Sequence, residues 1–78
     1  MSYESDPEEV LKQLERRKEE LAKDIEELEE QHQRGTISDD YYQARLRELQ
    51  REVVEVMDRI VQMEFLAGRR RALSGKTL

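Results

Sequence analysis

From Tyr42 to Ala67 the apolar residues recur at alternating steps of four and three: Tyr42, Leu46, Leu49, Val53, Val56, Ile60, Met63 and Ala67. That alternation keeps one face of an α-helix apolar over more than three heptads, the spacing of a coiled coil, and a strand with its period of two cannot carry it. Such a helix needs cover along its whole length. The rest of a 78-residue chain must supply that cover or leave it to another molecule.

The segment upstream has the matching pattern. Asp6 is placed to cap free backbone N–H groups, Pro7 has the fixed φ of a first helical position, and Glu9 completes a capping box. From Pro7 to Gln33 there is no glycine and no further proline, and Leu11, Leu14, Leu21, Ile25 and Leu28 share one stripe. Lys18 fills the vacant place in that stripe and His32 continues its phase; a lysine there can snorkel, or set register at some cost in stability. Gln33-Arg34-Gly35 predicts a helix end, because glycine enters the left-handed conformation without steric cost. Ser38 then reads as a new N-cap, with Asp39 and Asp40 in the first turn and Ile37 and Tyr42 in the two places of a hydrophobic staple.

A connection this short between two long helices forces an antiparallel hairpin. The expected division is a frayed stretch over residues 1–5, a hairpin over 6–68 with helices at 7–33 and 38–67 and a turn at 34–38, and a flexible basic tail over 69–78. The registers agree, with Leu28 near Tyr42, Leu21 near Leu49, Leu14 near Val56 and Leu11 near Ile60. The predicted fold class is therefore all-α, a long, coiled-coil-like antiparallel helical hairpin.

The two helices are unequal. Residues 7–33 hold 7 apolar side chains and residues 38–67 hold 15, so the first helix cannot cover the second. The excess lies in Val54, Met57, Val61 and Phe65, a second stripe about a third of a turn from the main one, and Leu66 widens it. A helix apolar on two sides is usually buried on two sides. The simplest completion is a homodimer in which two hairpins form a four-helix bundle, and a permanent hetero-partner on the same stripe is the other. The protein-contact residues expected are Val54, Met57, Val61, Met63, Phe65 and Leu66.

The turn has one resemblance. Gly35-Thr36-Ile37-Ser38-Asp39-Asp40-Tyr41-Tyr42, followed by Arg45, Leu46 and Leu49, resembles the G-x-I-S/T-acid-acid-x-aromatic turn of short helical-hairpin interaction modules, including short C-terminal oligomerisation-type domains. The resemblance implies a module that binds other proteins and does no chemistry.

Charge divides the chain into an acidic and a basic part. Residues 1–33 hold 12 acids and 5 bases, residues 34–78 hold 7 acids and 9 bases, and the whole carries −5. That balance favours solubility and argues against a generally nucleic-acid-binding surface. No apolar run approaches the roughly 20 residues needed to cross a bilayer, and the acidic start lacks the features of a secretory signal, so a cytoplasmic chain is expected. From residue 65 onward there is no acid, and Arg69, Arg70, Arg71 and Lys76 form a basic end suited to docking on an acidic protein surface. Nucleic acid is the lesser alternative, because no aromatic group accompanies those charges to stack on bases.

Chemistry finds little to work with. There is no cysteine, one histidine and no convincing strand, which removes thiolate zinc sites and disulfides and leaves Gly75-Lys76-Thr77 without the upstream glycines and strand of a phosphate loop. Glu29 and His32 have the Glu-x-x-His spacing of bundle metal sites, yet the second helix offers no inward Glu opposite. The helical chorismate mutases hold a dicarboxylate with inward arginines, whereas Arg45, Arg47, Arg51 and Arg59 all lie off the main apolar stripe. The expectation is a non-catalytic adaptor, scaffold or regulatory subunit with no metal and no cofactor. It would hold a larger protein partner through the second helix and the basic tail.

Overall fold

The computed structural model describes residues 6–75, with side chains as far as Gly68. Two helices make up the fold: α1, Pro7–Gln33, and α2, Asp39–Gly75. They pack against each other as a helical hairpin. The thinnest principal extent is 15 Å against a length of 61 Å. That thickness is about one helix diameter, so the hairpin is a single layer in which each helix has one neighbour.

Every boundary in the first two-thirds of the chain has an identifiable cause. Asp6 is extended (φ −61°, ψ 126°) and its carboxylate accepts from the Glu8 backbone N–H at 3.1 Å, while its carbonyl takes the first helical bond from Val10. At the other end Gly35 has φ +76°. The Gly35 N–H donates to the His32 carbonyl and the Thr36 N–H to the Gln31 carbonyl, both at 3.0 Å. That crossed pair is the Schellman closure, and it satisfies carbonyls that a helix end would otherwise leave open. The Thr36 hydroxyl adds a second donor to the Gln31 carbonyl. Two residues later the Ser38 side chain accepts from the Tyr41 N–H and its carbonyl from the Tyr42 N–H, which starts α2.

The core is the pairing of the two main stripes. Leu21 (0% exposed), Leu28, Leu49 (2%), Val56 and Ile60 are buried, and Leu11, Leu14, Ile25, Ile37, Tyr42, Leu46 and Val53 pack against them. Ile37 and Tyr42 take part as the staple requires. Lys18 does not enter this core; its ammonium lies 3.3 Å from Glu15 with the side chain about two-fifths exposed, so it snorkels outward beside the stripe.

One expected boundary is wrong. The sequence reading ends the second helix at Ala67 with Gly68 as its stop and treats residues 69–78 as a tail, but α2 continues through Gly68 to Gly75. Among the described residues Gly35 is the one glycine with positive φ. A glycine inside a helix costs only about 1 kcal/mol relative to alanine, which seven further helical residues without proline or left-handed geometry outweigh. Residues 1–5 and 76–78, with Lys76, lie outside the described residues.

Candidate interaction surface

Stepping round α2 at about 100° per residue gives the hairpin two unlike flanks. Glu52, Tyr41 and Arg45 fall on one side of the buried stripe. Val54, Met57, Val61 and Phe65 fall on the other.

The first flank is closed by charge. The Arg17 guanidinium of α1 reaches across to Glu52 of α2, donating from Nε at 2.9 Å and Nη2 at 2.7 Å to the same carboxylate oxygen, and donates from Nη1 to Glu20 at 3.0 Å. The Glu52 hydrogen bond and then the Glu20 one hold the Arg17 pKa above its ordinary value. Both Arg17 and Glu52 are about two-fifths exposed, so the pair fixes how the helices meet more than it adds stability. Nearer the turn, Asp24, Glu27, Gln31, Tyr41 and Arg45 line a shallow polar groove between the helices. Tyr41 is exposed there, so it does not share the hairpin-end packing of Tyr42.

The turn end is held by a second polar cluster. The His32 ring stacks on Tyr42 with centroids 4.0 Å apart and planes 7° from parallel, and its Nε2 lies 2.6 Å from Asp39 Oδ1. His32 thus belongs to the α1–α2 corner. Among the described residues no three His, Asp or Glu side chains converge as a metal site, and Glu29 is exposed.

The second flank is apolar and uncovered. Val54, Met57, Val61 and Phe65 are all exposed, with Val61 and Phe65 at 64%. Leu66 is exposed as well but sits farther round, on the outward side of α2, where it lines a shallow apolar depression with Val61, Gln62 and Phe65. Met63 departs from the expected set. It is half-buried, on the side of α2 that faces α1, and belongs to the main stripe.

Ala67, at 1% exposed, continues the main stripe, and α2, with 37 residues against 27 in α1, extends past the first turn of α1. Arg69, Arg70 and Arg71 follow within the same helix. Sequence reasoning missed Arg17, Glu52 and Tyr41 as members of a flank. Equal spacing of 17 and 52 from the turn was visible, but a choice of one flank over the other needs the rotation of each helix about its axis.

No helix among the described residues is long and apolar enough to cross a membrane. Comparison of the chain with protein-family models, with curated proteins and with solved structures finds no match, so the resemblance of the turn to short interaction hairpins stands on the residues of the turn alone.

Proposed function

We propose that this chain is a non-catalytic interaction subunit, an adaptor or scaffold that works by docking one helix face on another. The observation that carries the reading is the exposed stripe Val54, Met57, Val61 and Phe65 beside a flank closed by Arg17 and Glu52. A hairpin with one polar and one apolar flank is made to be covered on the apolar side only. The helix-in-groove mode of recognition uses anchors at this spacing, and Met57 suits a surface that adapts to its partner. The partner surface is an apolar helical stripe with acidic neighbours, since Arg69, Arg70, Arg71 and Lys76 stand at the same end of the chain as Phe65. Two hairpins joined along the stripe make a dimeric four-helix bundle, the arrangement that covers it with no other protein. A larger protein partner is then held by the assembled bundle and its basic ends.

Light scattering at micromolar concentration tests this reading, with thermal melts run alongside. The intact chain is expected at a mass above the 9.4 kDa of one copy. Val61→Asp should return it to one copy while leaving the helical signal intact, because Val61 is exposed in the hairpin and is no part of its core. A single-copy mass for the intact chain overturns the two-hairpin bundle, and a Val61→Asp variant that binds a larger partner as well as the intact chain does overturns the docking role of the stripe.

A further inference from the structure

The stripe lies at the middle of its helix. α2 runs from Asp39 to Gly75, so its midpoint is Met57, with Val54 on one side and Val61 on the other. Two copies of α2 laid antiparallel with a two-fold axis beside Met57 overlap along their whole length. Val54 of one copy then comes level with Val61 of the other to within about one residue's rise of 1.5 Å. Val54, Met57 and Val61 of the two copies meet one another, as a two-fold interface requires, and Phe65 lies level with Leu49 of the other copy.

Charge selects the same arrangement. Around the turn, residues 24–40 hold seven acids and one base, including Glu26, Glu29, Asp39 and Asp40. At the opposite end, residues 65–75 hold Arg69, Arg70 and Arg71 and no acid, on a part of α2 that extends beyond the start of α1. Each hairpin therefore has an acidic pole and a basic end separated by most of the length of the helix. Antiparallel overlap sets each basic end beside the acidic pole of the other copy. Parallel overlap sets acid on acid and base on base, an arrangement that like-charge repulsion opposes.

We infer that the occupant of the apolar flank is a second copy of this chain, lying antiparallel along α2 with Met57 at the two-fold axis and each Arg69–Arg71 turn against the acidic turn pole of the other copy. This rests on the docking role proposed for the stripe and names the partner. The exposed stripe amounts to a few hundred Å² per copy. Doubled by symmetry, with the flanking stems of the overlapped helices, it comes within reach of the roughly 1,000 Å² that a specific interface needs. The closed polar flank ends the assembly at two copies.

The chain has no cysteine, so single cysteines report on geometry without interference, and every position used is exposed in the hairpin. Met57→Cys should form a disulfide-linked dimer under mild oxidation. Val54→Cys mixed with Val61→Cys, one of them carrying a size tag, should give roughly tenfold more mixed dimer than either forms alone. In the antiparallel register two copies of position 54 are offset by about 10 Å along the helices, beyond the roughly 7 Å that a disulfide spans between Cα atoms. Efficient self-linking of Val54→Cys and of Val61→Cys overturns the antiparallel arrangement and leaves the docking role of the stripe standing. Failure of all three to link, with a single-copy mass by light scattering, overturns the self-pairing itself.

Discussion

Two glycines on one chain have opposite roles, and the difference lies in backbone conformation rather than in space. Nothing lies within 4 Å of a Cβ built at Gly35 or at Gly68. Gly35, however, has φ +76° and carries the Schellman bonds that end α1, so Gly35→Val is expected to destabilise the hairpin by about 1–2 kcal/mol through backbone strain. Gly68 is inside α2 without positive φ. Gly68→Ala should therefore stabilise by about 0.5–1 kcal/mol, the reverse of what a helix stop at 68 implies. Thermal melts of the two variants check both signs, and a destabilising Gly68→Ala would return the helix end to Ala67. At the same scale, the Arg17–Glu52 bond should show only a weak coupling in a double-mutant cycle, lost in molar salt, because both side chains are open to water.

At the scale of the helices, burial decides which apolar residues hold the hairpin and which wait for a partner. Leu21 and Leu49 are closed in from every side, so Leu21→Ala is expected to cost about 2–5 kcal/mol, enough to unfold a chain this small. Val61→Ala removes a side chain that is 64% exposed; at concentrations low enough to keep copies apart, chemical denaturation should find the variant within about 0.5 kcal/mol of the parent. The two helices, their caps and both stripes were legible in the sequence because each rests on local spacing: Leu21 and Leu49 follow from period, and Gly35 and Ser38 from cap chemistry. Where α2 ends was not legible, since Gly68 competes against a helix continuing on both sides of it and local propensity is the weaker of the two. The candidate surface was legible in Val54, Met57, Val61 and Phe65, which share one face by counting. Met63 is half-buried with the main stripe, in which its spacing also puts it, and Leu66 is exposed beside Val61 and Phe65 in the shallow apolar depression.

For the molecule as a whole, the net charge of −5 hides a separation of charge that governs how copies meet. The acids gathered near the turn and the arginines towards the far end of α2 lie most of a helix apart, about 45 Å for the 30 residues from Asp40 to Arg70. That distance exceeds the screening length of roughly 8 Å in physiological salt several times over, so the two poles of one chain scarcely feel each other. They act only on what comes close, and in an antiparallel pair each comes close to its opposite. The apolar stripe would then set the strength of pairing, and the poles its direction and its sensitivity to salt. Replacing Arg69, Arg70 and Arg71 together with Ser should leave the hairpin's melt unchanged at low concentration, weaken association about tenfold at low ionic strength, and flatten its dependence on salt. Sedimentation equilibrium from low to molar salt measures all three. An association that strengthens when the arginines are removed would mean that the basic ends repel each other across the interface, as they do only when the two helices run parallel.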